Sequence, residues 1–145
     1  AGQLDGENFV ELGLSGWHNS QYYLDWVHDI GATVITARDV HTGGVDDAAA
    51  RALSAATDGT EAVFVSFAID VLDAGVASGT CAPSPGGLLP WQLLELVFQL
   101  SRDVRVRGGD LMEVAPPLDS TGATTAIGAA VVTQFLGARK VAAAE

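Results

Sequence analysis

Three observations predict an α/β fold with a mainly parallel sheet, helices covering it on both sides. Short apolar and β-branched runs alternate along the whole chain with longer stretches of helical spacing. The run EAVFVSFAID (61–70) is almost continuously apolar, as a parallel strand covered on both faces requires. Glycine and proline fall at the junctions between these segments, where they end one element and open the next.

In chain order, NFVELGL (8–14) reads as the first strand, ending at Gly13 and Gly16. NSQYYLDWVHDIG follows as a helix capped by Asn19 or Ser20 and stopped at Gly31. Tyr23, Trp26, Val27 and Ile30 recur at helical spacing and are expected to form its buried stripe. ATVITA (32–37) is rich in β-branched residues and should be the second strand. VDDAAARALSAAT (45–57) is an alanine-rich helix whose Asp46 and Asp47 complement the positive end of its dipole. After the apolar strand, Pro90 opens the helix PWQLLELVFQLSR from a favourable first-turn position. GDLMEVA (109–115) should be the fourth strand, halted by Pro116 and Pro117, and TGATTAIGAAVVTQFLGAR (121–139) the closing helix. A four-stranded sheet this apolar leaves an open edge, the sign of a piece of a larger sheet.

Hydrophobic residues make up 48% of the 145 and charged residues only 17%, so much of the chain expects burial in one domain. The net charge of −11 argues against nucleic acid or an anionic membrane as partner, since neither tolerates such a field without a basic patch. RDVRVR (102–107), the nearest thing to one, reads as a solvated connection. No apolar run reaches the roughly 18 residues of a membrane span. No targeting signal is visible, and the lone Cys81 excludes an internal disulfide, so a cytoplasmic setting is expected.

Chemistry is expected at the carboxyl ends of the strands, where open α/β sheets place their sites. Two loops there begin with acids: Asp70 and Asp73 in one, Glu113 and Asp119 in the other. Strand alternation would put Ser66, Ala68 and Asp70 on one face. A carboxylate at 68 would complete a D-x-D pair for hard cations, but alanine ligates nothing. Glu113 reads as part of an apolar strand, where an unpaired charge is costly. Asp73 and Asp119 read as turn formers, His28 as a surface or boundary histidine, and Cys81 as a loop thiol.

SFAIDVLDAGVASGTCAPSPGG (66–87) resembles the signature S-F-D-I-D-V-L-D-P of the ureohydrolases, the arginases, agmatinases and guanidinobutyrases, with its glycine-rich loop. GDLMEVAPPLD is similar to a second strand of that family, and FVELGLSG with the helix and strand after it to a third segment. The resemblance spans essentially all 145 residues but only the C-terminal half of a family member. It implies a three-layer α/β/α arginase-like fold, residues 1–145 being one C-terminal segment, and a site with two Mn2+ ions that releases urea from a guanidinium group. Asp70 matches a metal-ligating aspartate, Glu113 the glutamate that pairs with the guanidinium, and Ala68 the position of another metal aspartate. Ser78 replaces a loop proline and Ser15 an arginine. The family's G-G-D-H and D-A-H-x-D ligand segments do not occur, and His18, His28 and His41 lack such neighbours. One aspartate and one glutamate are too few for two metals about 3.5–4 Å apart.

The resulting expectation is the C-terminal part or subunit of an agmatinase- or guanidinobutyrase-type hydrolase, inactive alone. Its expected partners are a chain carrying the N-terminal half of the fold, further copies of itself, or both, and a small cationic guanidino substrate. The alternatives are a catalytically degenerate subunit with a structural or regulatory role, and an enzyme of altered chemistry using Asp70 and Glu113.

Overall fold

The computed structural model describes residues 4–15 and 19–144; Gly16 and His18 lie outside them. The elements are β1 (Val10–Leu14), α1 (Gln21–Asp29), β2 (Thr33–Thr36), α2 (Ala37–Gly43), α3 (Val45–Ala56), β3 (Val63–Ala68), α4 (Pro90–Ser101), β4 (Val106–Met112) and α5 (Ala123–Ala142). The α/β class and the strand–helix alternation are as the sequence predicts.

Helix α2 is the element the hydrophobic pattern does not reveal. It begins where β2 ends because Thr36 closes a reciprocal cap: its hydroxyl accepts from the Asp39 amide at 3.1 Å while the Asp39 carboxylate accepts from the Thr36 amide at 2.8 Å. Gly44, at φ 92°, then lets the chain turn directly into α3. At β4 the expected boundaries shift by three residues. Val106 is fully buried and begins the strand, so RDVRVR is a connection only over its first half. Asp103 holds that turn by accepting from the Arg105 amide and guanidinium.

The four strands do not form one ladder. β1 pairs with β2 in parallel, Val10 opposite Thr33 and Leu12 opposite Ile35, and β3 with β4, from Val63 opposite Val106 to Ala68 opposite Met112. Among the described residues no strand pairing joins the two units. Helices brace them instead. Ala48, Ala49 and Ala52 of α3 and Leu93, Leu96 and Val97 of α4 share one core with Ile35, Phe67, Ile69, Leu72 and Leu88. α5 packs on α4, and Arg139 donates to the carbonyls of Ser101 at 2.9 Å and Asp103 at 2.7 Å, fixing the end of α4.

The expected buried stripe of α1 is half wrong. Val27 and Ile30 are partly covered, but Tyr23 and Trp26 are 66% and 54% exposed, since no buried residue lies on this helix. The Ser20 cap starts α1 as expected, accepting from the Tyr23 amide.

Leu96, 2% exposed between α3, α4 and the strands, is a point where this bracing is felt directly. Leu96→Ala should cost about 2–5 kcal/mol, read as a lower midpoint in urea denaturation with unchanged m-value.

Candidate functional site

The register of β3 against β4 brings the two acids to the same end of adjoining strands. Ala68, the last residue of β3, lies opposite Met112, the last of β4, so the chain leaves both strands at one level. Asp70 follows in a 3₁₀ turn over Ile69–Val71, anchored by the fully buried Ile69. Strand alternation therefore stops at Ala68 and does not carry Asp70, which corrects the expectation drawn from period-two spacing. Ala68 and Asp70 nevertheless line the same cleft, brought together by the turn.

Glu113 is not inside a strand either. It is the first residue beyond β4, exposed, and the one non-glycine residue among those described with positive φ, at 68°. That left-handed conformation costs a glutamate of order 1–3 kcal/mol, and such strain is characteristic of functional sites. Its carboxylate acts on Asp70 through space. Burial first, and the negative charge of Glu113 second, push the Asp70 carboxyl above its ordinary value of 3.8.

The cleft has a volume of about 560 Å³ and opens between the carboxyl ends of β1 and β3. Gly13, Leu14 and Ser15 form one wall, Ala68, Asp70 and Val71 the other, and Cys81 to Ser84 the rim. It also takes in Glu11 of β1, which the sequence pattern does not single out. Glu11 is half-buried and burial raises its carboxyl above 4.5.

The loop from 72 to 89 is long but closely tied. Val71 and Leu88 exchange backbone contacts with the chain between them, Leu88 donating to Val71 at 2.8 Å and Asp73 to Leu88 at 3.0 Å. The Asp73 carboxylate accepts from the Gly75 and Gly86 amides at 2.8 and 2.7 Å, and these bonds hold its pKa below 3.8. His41 contacts the Gly87 carbonyl at 3.1 Å and Gln92, whose other end caps α4 at Leu89. On the far side the Gly79 amide donates to Thr124 and its carbonyl accepts from Ala115. Asp119 accepts from the Thr125 amide at 2.8 Å at the start of α5. Asp73 and Asp119 are thus turn and cap formers, His28 is on the surface, and Cys81 is an exposed thiol at the rim. His41, Gln92 and Thr124 act on the cleft by holding its loop, a role without any local sequence signal.

Among the described residues no group of three His, Cys, Asp or Glu side chains comes together as a metal site requires. What the site offers is a pair of repelling carboxylates at adjoining strand ends, an arrangement that favours a cation.

An α/β domain with an anionic site at parallel strand ends is the class of protein that the fold and cleft define. The model of the arginase family matches residues 1–137. The chain belongs to that family, within the ureohydrolases. It is 33% identical over 135 residues to a formimidoylglutamase of Halalkalibacterium halodurans, covering 93% of this chain and 42% of that protein. The solved proclavaminate amidinohydrolase of Streptomyces clavuligerus superposes with a TM-score of 0.85 at 32% identity, over 96% of this chain and 45% of that one. A formiminoglutamase of Trypanosoma cruzi, solved with Mn2+, shares the fold with a TM-score of 0.84 at 19% identity over 92% of this chain and 45% of that one. The chain therefore spans less than half the length of these proteins.

Two outcomes follow for the site. Because the folded-state pKa of Asp70 is raised, stability should fall as pH rises from the ordinary value of 3.8 through the folded one. Asp70→Asn should remove that loss and leave stability below the window unchanged; urea midpoints across pH 3–8 check it. Glu113→Gln should move the Asp70 titration down toward 3.8, as followed by carboxyl NMR.

Proposed function

We propose that residues 1–145 are the C-terminal segment of an amidinohydrolase that converts a guanidino compound to urea and an amine, inactive by itself. The observation that carries this reading is the pairing of Asp70 with a strained Glu113 at adjoining strand ends. A planar guanidinium fits two neighbouring carboxylates, since its N–H groups meet carboxylate oxygens in a forked geometry. In this reading Glu113 binds and orients the cationic group, while Asp70 raises the local negative field and holds its place in the cleft. The relatives named as an amidinohydrolase and a guanidinopropionase support a substrate of this type, and the formimidoylglutamase supports the broader class of cationic amidines. Agmatinase- or guanidinobutyrase-type substrates remain the expectation from the resemblance.

A manganese pair does not fit this chain's described residues alone. Asp70 is one donor, Ala68 is none, and among the described residues no three His, Cys, Asp or Glu side chains come together there. The metal ligands would come from a chain carrying the N-terminal half of the fold, with association of further copies compatible with the same scheme. The acidic chain has no described helix long and apolar enough to cross a membrane, and a cytoplasmic setting without nucleic-acid partners belongs to the same proposal. Ala68 is the observation that favours the second reading, a degenerate subunit that keeps the fold for assembly or regulation.

The isolated chain should bind Mn2+ weakly and release no urea from agmatine, arginine or 4-guanidinobutyrate. Micromolar Mn2+ affinity with turnover would overturn the proposal. In the assembled protein, Ala68→Asp should raise metal content. Glu113→Ala should raise KM for the guanidino substrate about 10- to 100-fold, the worth of a charge-assisted hydrogen bond, with metal content unchanged. If Ala68→Asp leaves metal content as it was, the degenerate-subunit reading is the better one.

A further inference from the structure

Three hydrogen bonds at the base of the cleft loop run head to tail and return to the segment they start from. The Leu89 amide donates to Gln92 Oε1 at 2.9 Å. The other end of that side chain, Gln92 Nε2, stands 3.3 Å from His41 Nδ1, and His41 Nε2 stands 3.1 Å from the Gly87 carbonyl oxygen. Helix α2 is thereby joined to the loop and to the first turn of α4.

The chemistry of the partners fixes where each proton lies. A backbone N–H only donates, so Leu89 holds the oxygen of Gln92 toward itself and turns the NH2 group toward His41. A carbonyl only accepts, so His41 carries its proton on Nε2 and leaves Nδ1 bare to accept from Gln92. One tautomer of the neutral ring closes the circuit. The imidazolium cannot, because a proton on Nδ1 makes two donors face each other. Turning the Gln92 amide over would mend that contact but set its NH2 group against the Leu89 N–H, which would lose its acceptor. Gln92 is 5% exposed, so a donor displaced from His41 has little solvent to turn to. His41 itself is exposed and open to protons from solution.

The charged groups on the elements around it are Arg38 and Asp39 of α2, Asp46 and Asp47 of α3, Glu95 of α4 and Asp73 of the loop. The Asp73 carboxyl is held below 3.8 first by the Gly75 and Gly86 amides and last by the charge of His41. That attraction favours the imidazolium, but it acts through space at the surface, where solvent screens it. The opposed donors sit at a buried amide, and they set the direction.

What the circuit holds is one wall of the cleft. No side chain fits at Gly87, where a Cβ would meet the backbone of Leu72 and Asp73. Leu88, fully buried, donates to the Val71 carbonyl and accepts from the Asp73 amide. Val71 lines the cleft next to Asp70, and Cys81 to Ser84 at the rim belong to the same loop.

We infer that neutral His41 is a positioning residue that latches the 72–89 loop to the turn carrying Asp70, and that its protonation loosens the latch, so that the cleft wall shifts with pH. This rests on the reading of the cleft as the site and adds a proton-dependent control to it. Histidine is the side chain whose charge ordinarily changes between pH 5 and 8, which sets the range of the control.

The test follows the whole chain by NMR between pH 8 and 5. It reads the His41 ring nitrogens and the exchange protection of the Asp73, Leu88 and Leu89 amides, corrected for the intrinsic rate at each pH. At pH 8 the ring is expected as the Nε2–H tautomer. As it titrates, protection of all three amides should fall about tenfold or more, the scale of one hydrogen bond lost at a buried donor. Val97, fully buried inside α4, should hold. His41→Gln keeps a donor for Gly87 without titrating in this range and should abolish the step. Gln92→Glu puts an acceptor opposite Nδ1 and should reverse it, protection rising as His41 gains its proton. An Nδ1–H tautomer at pH 8, a ring titration that leaves protection unchanged, a loss confined to Leu89, or a step that survives in His41→Gln overturns the proposal. So does a folded Gln92→Glu variant that keeps the original sign; if that variant does not fold, the titration of the unaltered chain decides. Urea release is no part of the readout: a silent titration leaves the hydrolase reading standing, and a chain that hydrolyses nothing can still show the latch.

Discussion

The pairing of β3 with β4 is the constraint on which the site depends. Six aligned positions, ending at Ala68 opposite Met112, decide that the residues leaving each strand stand beside one another. Asp70 and Glu113 are forty-three positions apart in sequence, and nothing but this register makes them neighbours. A slip of one residue between the two strands would take their ends out of level and move the turn that carries Asp70 away from Glu113. Buried Phe67, packed edge-on against Phe135 of α5 with ring centres 6.1 Å apart, helps lock the register in place.

Around that pairing the molecule divides its labour. Helices α3 and α4 supply the apolar mass that strand pairing between β1 and β3 does not, and Arg139 ties α5 to the end of α4 through two carbonyls. Hydrogen bonds take over where apolar packing runs out. The loop from 72 to 89 owes its shape to Asp73 and to contacts from His41 and Thr124, which reach it from elements on different sides. The cleft is therefore bordered by a firmly tied loop, and its electrostatics are set by groups in fixed positions.

Most of the fold was legible because its signals are local. β-branched runs marked β2 and β3, Ser20 and Pro90 marked helix starts, and the acids at strand ends pointed to the cleft. What escaped was set by contacts distant in sequence or absent from this chain. Tyr23 and Trp26 follow the helical period that burial requires, yet α1 buries no residue here. The T-x-x-D cap of α2 was present in the sequence but hidden by its short apolar content. Asp70 was placed in the right cleft by the wrong geometry, since a 3₁₀ turn and not strand alternation carries it. Glu11 escaped because its place in the cleft depends on where β1 lies against β3, which nothing next to it in sequence marks.

The left-handed backbone at Glu113 has a consequence for how this chain changes over generations. Glycine would occupy that conformation without the penalty, a gain of about 1–2 kcal/mol, and the position is exposed enough to accept it. Random substitution filtered only by foldability would thus run downhill from glutamate to glycine. A population of such sequences released from any demand on the carboxylate should lose it early, before the buried residues around Ile69 begin to vary. Position 113 is in this sense a clock that starts when the charge ceases to matter, and in this chain it still reads glutamate.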